Sequence, residues 1–310
     1  MARRLRIEYP GALHHVINRG NYRRDLFENV GAAEAFLRVL FEAADKFSWW
    51  VHAYVLMRNH FHLAIETPQP NLGDGMHWLQ TTMSARFNRL RKENGHLFQG
   101  RYKSLVIEDV AALCRVVDYI HLNPVRARVV PPEQVCAYRW SSLAALRRAP
   151  RPKRLVCEAW LLQRGGWQDD AEGIRSYGEF LKELAADENR WALEGLTGLG
   201  GGWAIGSRGW MMALAKAQDR PGLTVGLAKE ERVKLRQARW EAALDEGLLQ
   251  RGKSVSDLVS RPMKQDWKLE LAGEIRESTG ASIGWLASHL HLGGAATLRG
   301  YLHHRKHTIN

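Results

Sequence analysis

Two strand-like runs, WVHAYVLM at 50–57 and HFHLAIET at 60–67, are separated only by Arg58-Asn59. Both are rich in β-branched and aromatic residues, and so short a connection suits a tight hairpin, which makes the pairing antiparallel. The second run also carries a His-x-His pair. In a strand, residues i and i+2 project from one face about 6.6 Å apart, so His60 and His62 can converge on one ligand. A second such pair, HLH at 289–291, lies in a helical pattern, where i and i+2 diverge and do not chelate one ion.

Around the hairpin the first ~125 residues alternate strand-like and helix-like stretches. LHHVIN reads as a strand and GAAEAFLRVLFEAADKF as an amphipathic helix before it. After it comes a long helix ending at Gly95 with Arg and Lys in its last turns. RYKSLVIE then reads as a fourth strand, and DVAALCRVVDYIHLN as a helix opened by Asp109 and stopped by Pro124. The order β-α-β-β-α-β-α predicts an α+β, ferredoxin-like antiparallel sheet with helices on one face.

At 310 residues the chain is long enough for two or three cores. RRAPRPKR at 147–154 is rich in Pro and Arg without periodicity and reads as a linker. The predicted division is 1–146 for the α+β domain, 147–154 for the linker, 155–262 for a helical extension and 263–310 for a helical end. GLTGLGGGWAIGSRG at 195–209 has a phosphate-loop flavour but neither the Gly-Lys-Ser/Thr nor a preceding strand pattern, and reads as a flexible loop. DWKLELAGEIRESTG, SIGWLASHLHL and AATLRGYLHHRKH have helix-turn-helix spacing, joined through Gly293-Gly294.

The net charge of +12 and pI near 9.8 favour a polyphosphate partner, which binds cations by releasing its own counterions. The first 150 residues hold 21 Lys+Arg against 13 Asp+Glu, so the nucleic-acid surface is expected there. Cys114, Cys136 and Cys157 form no Cys-x-x-Cys pair, which argues against a zinc ribbon and for reduced, buried thiols. Neither a signal-peptide run nor ~18 consecutive apolar residues occurs, so a cytoplasmic, nucleoid-associated protein is expected.

Two imidazoles leave a metal site incomplete. Glu66 shares the strand face with the pair but lies about 13 Å from His62, too far to join it. The helix at 109–123 buries Leu113, Val116, Val117 and Ile120 by its spacing, which leaves Arg115, Tyr119 and Asn123 as a neighbouring stripe. That stripe offers a cation, a phenol and an amide oxygen. A core-edge tyrosine and an Asn-Pro helix stop would leave the same pattern.

Four ordered blocks, HHVINRGNYRR, HFH, GHLFQGRYKS and YIHLNPVRA, resemble the single-tyrosine HUH transposases of bacterial insertion sequences, most closely the REP-associated tyrosine transposases. The resemblance covers residues ~5–145, with a weaker likeness of GWAIGS and IGWLASHLHLGG to the extension of longer relatives. It implies an HUH nuclease fold, a divalent ion on His60 and His62, and Tyr119 as nucleophile. Asn123 falls at the family's third polar ligand, where some relatives carry Gln. The implied reaction nicks single-stranded, hairpin-associated DNA through a 5′-phosphotyrosine and leaves a free 3′-hydroxyl. Mg²⁺ or Mn²⁺ suits this ligand set.

The DNA-binding candidates are Arg19, Tyr22, Arg23, Arg24, Arg58, Arg86, Arg89, Gln99, Arg101, Tyr102, Lys103, Arg115 and Arg126. Arg and Lys pair with phosphates while Tyr22 and Tyr102 offer faces for bases. Tyr102, set among cations, is the rival nucleophile. Relatives of the REP-associated branch lead us to expect a monomer rather than a homodimer. Two competing functions share the pattern: a non-cleaving DNA-binding regulator of repeat sequences, and a metal-dependent hydrolase that uses water.

Overall fold

The computed structural model describes residues 7–217, 229–259 and 265–307. They belong to two compact units, Arg6–Ser207 and a second that holds Arg208–Asn310. The first unit begins β1 (Ala12–Arg19), α1 (Val30–Lys46), β2 (Trp50–Met57), β3 (His60–Thr67), α2 (Leu72–Arg91), β4 (Lys103–Ile107) and α3 (Val110–Arg126). This is the expected α+β order. It continues through α4 (Ser142–Leu146), α5 (Glu158–Gly165), α6 (Ala171–Ala186), α7 (Glu188–Leu193) and a short strand β5 (Ala204–Ile205).

The sheet order is β2-β3-β1-β4-β5, antiparallel except for the β4–β5 pair. The helices are divided between its faces rather than gathered on one. Phe36 of α1 meets Phe61 at 4.7 Å, whereas Tyr119 of α3 stands 5.6 Å from His62. Residues 61 and 62 point to opposite faces, so α1 and α3 do too. Asn29 caps α1 by accepting from the Ala32 amide, and the helix buries Phe36, Val39, Leu40, Ala43 and Ala44. Gly75 lets α2 lie on Trp49, because a Cβ there would fall 2.0 Å from the indole. α2 ends at Arg91, short of Gly95, since Lys92 takes a left-handed conformation and the Glu93 amide returns to the Asn88 carbonyl.

Both edges of the sheet are covered by chain that follows α3. The Leu56 amide bonds the Trp140 carbonyl, the Val51 amide bonds the Arg154 carbonyl, and the Val156 amide returns to the Val51 carbonyl. The expected linker at 147–154 therefore runs inside the first unit, its end hydrogen-bonded to β2 and its Arg154 guanidinium 3.0 Å from Asp45. At the other edge β5 pairs with Val106 and Ile107. Covered edges offer no template for a further strand.

A buried polar chain joins α3 to the later helices. The Tyr54 amide donates to Ser142 Oγ (2.9 Å), whose hydroxyl donates to His121 Nε2 (2.7 Å). His121 Nδ1 donates to the Tyr177 oxygen (2.9 Å), and the Tyr177 hydroxyl donates to Asp118 Oδ1 (3.0 Å). Arg164 then lies 2.9 Å from Asp118 Oδ2 and 2.8 Å from Glu194. Burial pushes the Asp118 carboxyl up to about 7 against the pull of Arg164 and Tyr177, and holds His121 down to about 3. Trp160, Leu161, Tyr177, Leu181 and Leu184 are buried in the same core as the sheet. Cys114, Cys136 and Cys157 are buried and unpaired.

The second unit contains α8 (Arg208–Ala217), α9 (Lys229–Gln250), α10 (Val255–Val259), α11 (Asp266–Thr279), α12 (Ile283–His289) and α13 (Ala295–His307). The expected boundary at 262/263 lies outside the described residues. Leu244, Leu248, Leu271, Ile275, Leu286 and Leu298 belong to its separate core. α12 and α13 follow each other in helix-turn-helix order, Ser282 capping the first through the Trp285 amide and Gly293 turning at φ +80°. His289 bonds the Trp285 carbonyl through Nδ1, and His291 stands past the helix end at φ +52°. Among the described residues no helix is long and apolar enough to cross a membrane.

A chain ending at Ser207 should unfold in urea as one cooperative transition, and one ending at Leu146, stripped of its α5 and α6 core residues, should not. Equal transitions would place 155–207 outside the folding unit. Tyr177→Phe should cost about 1–3 kcal/mol for each buried partner it leaves unpaired, read as a lower urea midpoint with an unchanged far-ultraviolet spectrum.

Candidate active site

His60 and His62 stand on one face of β3, with ring centroids 5.3 Å apart and nearly perpendicular. The β1 register places Arg19 opposite His60 and Ile17 opposite His62, so His15, two residues on, lies diagonally beside His62 on the same face. His60 Nδ1 bonds Asn59 Oδ1 at 2.9 Å. His62 Nδ1 and His15 Nε2 are 3.0 Å apart, and His15 Nδ1 is 3.0 Å from the Leu199 carbonyl. Glu66 pairs instead with His52 at 3.2 Å. His14 faces the other way, between Thr67 and Ser104.

Burial lowers all three imidazoles below their ordinary value: His62 strongly, with His15, His60 and Arg126 adding to it; His60 with Arg19 adding; and His15 to about 4. Neutral rings keep lone pairs for a cation. Among the described residues no three His, Cys, Asp or Glu side chains converge as ligands. A cation on the His60–His62 pair would thus draw its remaining donors from an amide, water or substrate oxygen, and the donor chemistry fits Mg²⁺ or Mn²⁺.

α3 is aimed by its cap and its apolar face. Asp109 accepts from the Ala112 amide at 2.7 Å, and Leu113, Val116, Val117 and Ile120 are buried. The helix does not stop at Pro124 but runs to Arg126, its end closed by the Ala127 amide on the Asn123 carbonyl. A proline in the last turn forfeits one amide donor without ending the helix there. Tyr119 meets His62 and His15 edge-on at 5.6 and 5.7 Å. Asn123 is buried and donates through Nδ2 to the Tyr119 carbonyl at 3.0 Å, so its side-chain oxygen is the atom that a cation could use.

The glycine-rich segment expected to be a flexible loop is tied across this face. The Leu199 carbonyl takes His15, and the Leu196 carbonyl accepts from Arg126 Nη1 at 2.8 Å. The Arg126 guanidinium lies 4.5 Å over the Tyr119 ring. Gly195 abuts Arg115, and a Cβ on Gly200 would stand 3.6 Å from the Tyr119 hydroxyl. Gly198 and Gly202 turn at φ +75° and +79°, where side chains with a Cβ are strained. His15 and this strap are the parts of the site that sequence spacing missed.

Among the DNA-binding candidates, Tyr22 is 94% exposed and held at φ +52°, an aromatic ring displayed at the surface. Arg19, Arg23, Arg89, Gln99 and Arg101 are exposed, and Lys103 is half-buried. Arg24, Arg58 and Arg86 are paired with Glu93, Asp25 and Glu42. Tyr102 corrects the expectation: it is 3% exposed and packed in the core beside β4, so it offers no face to a base.

Arg126→Ala should speed amide hydrogen exchange across 195–203 while β1 and β3 stay protected. Unchanged exchange in the strap would show that Arg126 does not hold it.

Residues 9–123 match the family described as "Transposase IS200 like". No curated protein that was compared matches the chain. Among solved structures it is similar to a REP-associated tyrosine transposase bound to a REP hairpin, at 18% identity over 51% of this chain and 92% of that one, with a TM-score of 0.40. It is also similar to a candidate transposase from Deinococcus radiodurans R1, at 18% identity over 41% and 92%, with a TM-score of 0.29.

Proposed function

We propose, from the membership of residues 9–123 in the IS200-like transposases, that this transposase nicks and rejoins single-stranded, hairpin-associated DNA through Tyr119. The observation that carries the reading is the placement of the Tyr119 ring 5.6 Å from His62, on the face that also holds His60.

In this reading the Tyr119 oxygen attacks the scissile phosphorus and loses its proton, a 5′-phosphotyrosine bond forms, and the bond to the 3′-oxygen breaks to leave a 3′-hydroxyl. Because one phosphodiester replaces another, the step is reversible and strand transfer needs no nucleotide cofactor. A divalent ion, Mg²⁺ or Mn²⁺, held by His60, His62 and the Asn123 oxygen would offset charge growing on the phosphate. The α3 helix keeps the phenol at a fixed distance from the histidines, so the geometry is prepared before substrate arrives. Arg126 stacks on the Tyr119 ring and brings a positive charge to the same face. Arg19 lies opposite His60, and Arg23 and Tyr22 supply a cation and an exposed ring for the single strand. The helix-turn-helix order of α12 and α13 supports a duplex-binding role for the second unit.

The test is a labelled hairpin with a single-stranded flank, incubated with Mn²⁺ and resolved on a denaturing gel. Wild-type protein should form a covalent adduct that peptide mapping places on Tyr119. Tyr119→Phe should lose the adduct yet bind the hairpin within a few-fold, because phosphate contacts carry most of the affinity. His60→Ala and His62→Ala should likewise lose the adduct and keep binding. DNA mapped to any other tyrosine would overturn the assignment. Cleavage without an adduct would favour water as nucleophile.

A further inference from the structure

The hydrogen-bond chain behind His62 has a direction. A carbonyl oxygen can only accept, so His15 Nδ1, 3.0 Å from the Leu199 oxygen, carries a hydrogen. A neutral imidazole has one ring N–H, so a hydrogen on Nδ1 leaves Nε2 as a lone pair. The group facing it at 3.0 Å, His62 Nδ1, is then the donor. With its hydrogen on Nδ1, His62 presents Nε2 as an acceptor. Imidazole in water favours the opposite tautomer, with the hydrogen on Nε2, so the arrangement is imposed by the surroundings.

We propose that His15 is a positioning residue: held by the Leu199 carbonyl, it fixes His62 as the Nδ1–H tautomer and keeps the His62 Nε2 lone pair available to a divalent cation. The inference rests on the metal-dependent reading above only for the identity of what binds. The tautomer itself is a property of the protein alone. Partners of this kind orient a ligating ring as well as choosing its free nitrogen. Leu199 lies beyond the 9–123 segment that matches the family, so the strap contributes to the site through a backbone atom that no motif records.

The experiment is a long-range ¹H–¹⁵N correlation spectrum of the full-length, metal-free protein labelled with ¹⁵N-histidine, the His62 signals being identified by their absence in His62→Gln. Both His15 and His62 should be Nδ1–H tautomers. His15→Phe keeps a ring but no acceptor, so His62 should revert toward Nε2–H, and Mn²⁺ affinity, read by electron paramagnetic resonance of the free ion, should fall roughly ten- to a hundredfold. In His15→Gln the side-chain oxygen reaches the place of Nε2, so the His62 tautomer and Mn²⁺ affinity should both return toward wild type. An Nε2–H His62 in the wild-type protein overturns the proposal whatever the variants do. So does a His15→Phe protein with unchanged tautomer and affinity. The expected tautomers in a wild-type protein that binds no Mn²⁺ would uphold the positioning of His62 while refuting the metal-dependent reading.

Discussion

The buried Asp118 carboxyl is the constraint around which the first unit is arranged. A charge taken out of water must be met by partners of matching geometry, and the partners come from two other helices, Arg164 from α5 and Tyr177 from α6, with Glu194, just past α7, holding Arg164 in turn. Asp118 and Tyr119 are neighbours on α3, one turned into this network and the other toward the histidines. Fixing the first fixes the rotation of the helix and therefore the direction of the second. The helices after residue 155 thus bear on the direction of the tyrosine through Asp118.

Much of the face that carries His60, His62 and Tyr119 was legible because strand and helix periods are short-range. The two-residue connection at Arg58-Asn59 set the hairpin, alternation put His60 and His62 together, and the stripe of Arg115, Tyr119 and Asn123 followed from the apolar spacing of their helix. His15 was not legible, although it stands in a quoted block. Its place beside His62 depends on the β1–β3 register, and its partner carbonyl is 184 residues away. Backbone acceptors leave no residue-type signature, and glycine-rich composition does not distinguish a loose loop from a strap tied at Leu196 and Leu199.

The segment at 147–154 misled for a related reason. Proline and arginine describe a surface without periodicity, and these residues are indeed largely at the surface, yet the Arg154 carbonyl and the Val156 amide complete the hydrogen bonding of Val51. A sheet edge can be covered by irregular chain, since only backbone groups are needed. The matched family segment and the compact unit consequently have different ends, at 123 and 207.

The separation between His15 and the Leu199 carbonyl also sets an order in time. Ribosomes add roughly 5–20 residues per second, so Tyr119, 80 residues before Leu199, leaves the exit tunnel about 4 to 16 seconds ahead of the strap and the strands bearing the histidines leave earlier still. A nascent or prematurely terminated chain then has His15, His60, His62 and Tyr119 while the carbonyl that holds His15 has yet to be made. Completion of translation past the strap is thus recorded at the site as the direction of two hydrogen bonds.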